Sequence, residues 1–341
     1  MRRLLLSAFV IGLASACGGS SASSGFGDGG GGGGGSGSGG SGSGSSSGGS
    51  SSGGSGSGGG LGGTLLDAGA NDGCSDAAKL VYVLSFENDL YSFDPPNKTF
   101  KKVGPLGCAT SLVPNSMAVS RDAVAWVNYV SQDVTSGSAT SGSIFKVSTA
   151  DGSCTTTNVA LTDGWFQLGM GFSTDSSSST NETLFVAATA STGGVPLPPS
   201  LGGSQGLGSI DLTSQKLAPI GQFTGALAGQ SAELTGTGDG RLYGFFTSSP
   251  IQIAQIDKGS GATSNVVTMT GVESPQYWAF SFWGGDFYLY TCPSDKSRTT
   301  NVTHYSPATG TIDTAYMTNI GFRIVGAGVS TCAPTVQPPA K

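Results

Sequence analysis

The stretch ELTGTGDGRLYGFFTSSPIQIAQIDKGSGA, residues 233–262, holds three strand-like segments joined by two turns. The first, ELTGTGD, carries glycine at alternate positions. The second, RLYGFFT from Arg241, is aromatic and apolar, as buried strands are. The third, IAQIDKGSGA from Ile253, alternates apolar and polar residues and then enters a turn of Asp, Gly and Ser, residues that favour turn geometry. Three such segments in about 30 residues, with no helical periodicity between them, describe consecutive antiparallel strands.

The same order recurs along the chain. Counterparts of the third segment are LYSFDPPNKT from Leu90, IFKVSTADGS from Ile144, LGSIDLTSQK from Leu207 and VTHYSPATGT from Val302. Their equivalent apolar positions, Phe93, Val147, Ile210, Ile256 and Tyr305, are spaced by 54, 63, 46 and 49 residues. Counterparts of the second are LVYVLS, VAWVNYV, TLFVAAT and DFYLYTC. Counterparts of the first are SMAVSRD from Ser116, GMGFSTD from Gly169 and WAFSFWG from Trp278. A weaker fourth set, such as TFKKVGPL from Thr99 and APIGQFTG from Ala218, completes four strands per unit. A period of this size signals a repeat architecture, in which each unit buries its faces against its neighbours.

One member is missing. Nothing strand-like precedes Lys79, where the chain reads DAGANDGCSDAA, yet an unassigned strand, RIVGAGVST, begins at Arg323. If that strand supplies the inner edge of the first unit, five complete units close into a ring, which leaves only short, protected edges. The expectation is an all-β, five-bladed β-propeller closed by the C-terminal strand. Its repeats lie near 79–106, 115–160, 167–224, 231–271 and 276–319, with the closing strand at 323–331. A six-bladed count or a β-sandwich of similar strand number is also compatible with these segments. The glycines of GMGF, GTGDG and VGAGV suit crowded inner strands, although Gly within a strand otherwise weakens it. Gly236, Gly238 and Gly240 lack the strand-to-helix setting of a dinucleotide loop, so no nucleotide is expected.

The first 63 of the 341 residues have a different character. Arg2 and Arg3, an apolar core at 4–13 and Ala14-Ser15-Ala16 form an export signal over residues 1–16. The core is about half the roughly 20 residues that span a bilayer. Leu13-Ala14-Ser15-Ala16-Cys17 resembles a bacterial lipobox, although Ala14 stands where that motif prefers Leu, Val or Ile. The resemblance implies acylation of Cys17 and attachment to a lipid bilayer; plain secretion is the alternative. Gly18 stands where an inner-membrane retention signal would place Asp, so the expected location is the outer membrane. Residues 18–63 are Gly or Ser at all but four of 46 positions. Such a chain buries too little apolar surface to order itself, and a flexible coil of this length spans about 35–40 Å. The whole chain's net charge of −6 becomes −7 over the domain that follows, 64–341, because Arg2, Arg3 and Asp28 lie outside it. Without a basic run, nucleic acid is an unsuitable partner.

Five cysteines remain after Cys17, in a compartment that favours disulfides. Cys74 precedes the first strand and Cys332 ends the proposed closing strand, so a bond between them would lock the ring. Cys108 and Cys154 form the next candidate pair, although strand counting places them at opposite ends of neighbouring blades. Cys292 is left over, as a buried thiol.

Catalytic chemistry finds little support. The single histidine, His304, shares its strand position with Ser92, Lys146, Ser209 and Gln255 and reads as a solvent-facing side chain. No residues have metal-ligand spacing, and no cofactor motif is present. Glycoside hydrolysis needs two carboxyl groups across the scissile bond. Glu233 begins an inner strand, but its counterparts Ser116, Gly169, Trp278 and Gly326 are not acids. Asp122, Asp175 and Asp239 recur before strands, as turn formers do. The face where inner strands begin would carry Trp165, Phe166, Glu233, Tyr277, Trp278, Phe322 and Arg323, together with the insertions 131–143 and 190–206. Aromatic rings with a few polar groups suit a ligand site. Glu233, Trp165, Tyr277, Trp278 and Arg323 are therefore the candidate ligand-binding residues.

The strings ELTGTGDGRLYGFF, WAFSFWGGDFYLY and GAGVSTCAP, behind a lipobox and a Gly/Ser linker, are similar to a group of bacterial lipoproteins with repeat domains. That resemblance implies fold and location, and no activity. The expected role is a tethered, non-catalytic binding or scaffold module for a protein or glycan. The alternatives are a carbohydrate-active enzyme using Glu233 and a structural envelope protein.

Overall fold

The computed structural model describes residues 73–131, 139–188, 204–295 and 297–339. The signal, Cys17, the linker and most of the two insertions lie outside the described residues.

Alternation and turn chemistry produce short strands in chain order. The first three are β1 (Val81–Ser85), β2 (Asp89–Asp94) and β3 (Thr99–Pro105). They are followed by β4 (Val113–Val119), β5 (Val124–Val130), β6 (Gly142–Ser148) and β7 (Cys154–Thr156). Next come β8 (Leu168–Thr174), β9 (Glu182–Ala188), β10 (Gly206–Ile210) and β11 (Leu217–Gly221). The fourth group is β12 (Ala232–Gly236), β13 (Leu242–Phe246), β14 (Gln252–Ile256) and β15 (Thr263–Thr268). The last is β16 (Tyr277–Trp283), β17 (Asp286–Cys292), β18 (Asn301–Ser306), β19 (Thr311–Met317) and then β20 (Ile324–Val329). They make five antiparallel four-stranded sheets, and β20 returns to β1 to complete the first of them. Register runs from Val81 opposite Val329 to Leu84 opposite Gly326. The molecule is a five-bladed β-propeller closed by its C-terminal strand.

Each of five apolar clusters among the described residues fills one gap between blades. Along β1, Val81 and Val83 face the fifth blade, while Tyr82 and Leu84 face the second. Both faces of such a strand are buried. This is why the second strand of each blade reads as a nearly continuous apolar run rather than an alternating one.

The inner strands crowd at the axis. A Cβ on Gly169 of β8 would sit 2.0 Å from the carbonyl oxygen of Ala232 on β12, and one on Gly326 would meet Ser116 and Met117 backbone atoms at about 3 Å. Backbone cannot swing aside as a side chain can. We expect Gly169→Ala to lower unfolding free energy by about 2–3 kcal/mol, the cost of overpacking a tight core, measured by urea denaturation. An unchanged midpoint would mean that the blades can spread.

The outer strands settle the placement of Cys108. Adjacent strands rotate by roughly 20–25°, so a fourth strand is inclined by about 60–75° to the first. Its end therefore leans onto the next blade's turn between third and fourth strands. Beyond β3, the Gly107 N–H donates to the Gly152 carbonyl at 3.0 Å. Beyond β7, the Asn158 N–H donates to Gln215 Oε1. From β19, the Tyr316 hydroxyl donates to the Pro95 carbonyl at 2.6 Å, and Lys98 Nζ donates to the Tyr316 carbonyl at 3.1 Å. The same contact carries Cys108 to Cys154, and they form a disulfide with Cα atoms 4.9 Å apart. Counting strands as if untwisted puts these residues at opposite ends; twist removes that separation. Cys74 and Cys332 form the second disulfide, Cα atoms 5.7 Å apart.

Candidate functional site

Glu233 begins β12 at the upper end of the axis, the end where the inner strands start. It is 3% exposed. The Ser116 hydroxyl of β4 donates to Oε1, and the Met170 N–H of β8 also donates to the carboxyl group. Burial outweighs both bonds and holds the Glu233 pKa well above the usual carboxylate range. Neither partner is an acid. This arrangement is a single buried carboxyl group joining three blades, not a pair of carboxylates flanking a substrate.

Above it, an amide network spans the second and third blades. Asn128 Oδ1 accepts from the Leu168 N–H at 3.0 Å and from Asn115 Nδ2 at 2.9 Å. Gln167 Nε2 donates to Asn115 Oδ1 at 3.1 Å, and Asn128 Nδ2 donates to the Phe166 carbonyl at 3.1 Å. Sequence reasoning missed these side chains. The available signal was asparagine inside strands, where it is depleted.

At the lower end, Glu182 takes the Arg121 N–H on Oε1 and the Thr331 hydroxyl on Oε2, both at 2.8 Å. Burial raises the Glu182 pKa despite these bonds. The turn aspartates hold local bonds: Asp175 accepts from Thr183, and Asp239 from Thr237 and Arg241.

The five candidate ligand-binding residues do not form one site. Trp165 is 5% exposed and packs in the cluster between the second and third blades. A Cβ on Gly208 would touch its ring at 2.8 Å. The Trp165 ring fills the space left by a missing side chain. Trp278 is half-buried against the cluster between the fourth and fifth blades. Tyr277 and Arg323 do come together, at the rim between the fifth and first blades. There Tyr277 lies 5.1 Å from the Phe86 ring, and Arg323 Nη1 lies 4.0 Å from Glu87 Oε1. Burial raises the Tyr277 pKa, and the Arg323 charge opposes it.

His304 also departs from expectation. Its Nε2 lies 2.9 Å from Asp286 Oδ2, and its ring sits between Tyr288 and Tyr316 at 5.2 and 5.0 Å. Gln337 Nε2 donates to the same carboxylate oxygen at 3.0 Å. None of these neighbours is an activated nucleophile. Cys292 is a free, buried thiol whose pKa is raised by burial.

A cleft of about 220 Å³ opens between the fourth and fifth blades. The link from β15 to β16 supplies Glu273, the loop after β17 supplies Arg298, and Thr291, Asn301, Thr303 and Thr314 line the sheet side. Alternation explains the wall. Phe287 and Leu289 on β17 and Tyr305 on β18 point into the apolar cluster between these blades, and Thr291 and Thr303 continue the same rows past its edge. Arg298 Nη1 and Glu273 Oε2 are paired at 3.0 Å. Nothing in the repeat pattern marks these residues, because their role depends on two blades meeting.

No protein-family model matches the chain, and no curated protein matches it. Among solved structures it is similar to the calcium-binding protein regucalcin from Agrobacterium tumefaciens strain C58. The two are 12% identical at a TM-score of 0.39, over 65% of this chain and 67% of that one.

Proposed function

We propose that this chain is an acylated outer-membrane protein whose propeller binds an envelope partner, protein or glycan, without transforming it. The observation that carries the binding role is the cleft between the fourth and fifth blades, which is concave and polar and lies away from the axis. A non-catalytic role is supported by Glu233, whose buried carboxyl group is engaged by Ser116 and Met170 rather than by a second acid. The tether is supported by the lipobox-like Leu13–Cys17 and the Gly/Ser chain behind it. Two or more acyl chains suffice for stable anchoring.

Two measurements test this reading. Cys17→Ala should move the protein from the membrane to the soluble fraction; continued membrane retention would overturn the tether. The purified Cys17→Ala chain, freed of its anchor, should still co-sediment with isolated envelope fragments without releasing reducing ends. Sugar release would restore the carbohydrate-active enzyme, and absence of any retention would favour the structural role.

A further inference from the structure

Two threonines of the cleft wall are almost wholly withdrawn from solvent, and their hydroxyls have no hydrogen-bond partner among the described residues. Thr303 is 2% exposed and Thr291 6%, and the little surface they keep belongs to the cleft. Ser143 Oγ is the buried side-chain atom left without a bond among the described residues; the two threonine hydroxyls instead remain open to the cleft, where a ligand can take them as donors and acceptors. We infer that this cleft binds a single neutral sugar residue of an envelope glycan. The inference rests on the binding role proposed above and names its ligand class.

Charge comes first. The Glu273–Arg298 pair cancels itself, so an anion would meet the carboxylate and a cation the guanidinium. A neutral vicinal diol fits both: one hydroxyl donates to Glu273 while its neighbour accepts from Arg298, as charge-assisted bonds. Threonine suits the same ligand. Its hydroxyl both donates and accepts, and its methyl group offers an apolar patch to ring C–H groups. Size sets the third limit. Drug-sized ligands occupy pockets of about 300–1,000 Å³, and this cleft is smaller, the scale of one ring. It is lined by no aromatic side chain among the described residues, so recognition works through ring hydroxyls rather than stacking.

The test follows threonine methyl resonances of the full chain during titration with methyl α-glucopyranoside, methyl β-galactopyranoside and methyl N-acetyl-β-glucosaminide. At least one should shift the Thr291, Thr303 and Thr314 signals, with a dissociation constant of about 1 mM. Thr303→Val should weaken that binding about tenfold, one hydrogen bond's contribution. Because the hydroxyl has no protein partner, this variant should unfold at or above the wild-type temperature. Glu273→Gln, at an exposed position, should weaken sugar binding and admit inorganic phosphate. The inference is overturned if none of the three glycosides moves these signals, or if phosphate moves them in the wild type while the glycosides do not. Co-sedimentation of the Cys17→Ala chain with envelope fragments separates the two failures. Retention without sugar binding would leave the binding role standing with a protein partner, and loss of both would remove it too.

Discussion

Replacing both Cys74 and Cys332 with serine should lower the unfolding free energy by about 5 kcal/mol. The bond joins residues 258 apart in sequence, so it closes a loop that contains almost the whole propeller. In the chain-entropy account, a cross-link stabilises by restricting the unfolded ensemble, and the effect grows with the logarithm of loop length. Its position adds a structural reason. β20 is the innermost strand of the first blade yet the last strand of the chain, and without the bond it is held by its pairing with β1, its packing and bonds such as that from the Ile324 N–H to Thr300 Oγ1 at 2.8 Å. Around the bond, Ser330 Oγ donates to the Ala78 carbonyl at 2.5 Å, and Arg121 Nη2 lies 3.3 Å from Cys74 Sγ. Urea denaturation of the oxidised wild type against the double variant measures the difference. A loss below about 1 kcal/mol would show that the noncovalent contacts of β20 carry closure.

The second large effect belongs to Glu233. Glu233→Ala removes the acceptor for the Ser116 hydroxyl and the Met170 N–H and leaves a small cavity where three blades meet. Two stranded polar groups together with the cavity should cost about 3–4 kcal/mol. Glu233→Gln is the informative contrast. Burial raises the folded-state pKa above the unfolded value of about 4.3. The stabilising form is therefore the neutral acid. Its contribution is complete below the unfolded pKa and is lost as pH rises through the folded pKa. Glutamine mimics the neutral acid at every pH, with its amide donating to Ser116 Oγ and its oxygen accepting from Met170. Melting temperatures measured from about pH 4 to 9 should start close together and diverge upward, with the Gln variant the more stable on the alkaline side. Glu182, also raised by burial, titrates with the same sign, so the Gln variant should flatten the profile without levelling it. Parallel profiles would mean that Glu233 stays ionised in the folded protein.

Much of the fold was legible because it is encoded by near neighbours. Alternation such as that of Ile253–Ile256 and the Asp-Gly-Ser turns that follow report hydrogen-bonded strands only a few residues apart. Five recurrences of that unit set the blade count. The missing strand before Lys79 and the spare one at Arg323 together pointed to closure through the C-terminus, because a sheet edge left open would expose unpaired backbone groups.

The placement of individual side chains was decided only in the assembled ring. Ser116 reaches Glu233 across 117 residues of sequence, and Trp165 reaches Gly208 across two strands of its own blade. Accumulated twist brings Cys108 to Cys154, and the edge of one blade meeting the next turns Thr291 and Thr303 into a cleft wall. Strand periodicity states which residues share a face of one sheet. What that face meets is set by the twist of each blade and the angle at which five of them close, and neither quantity is written in any single repeat.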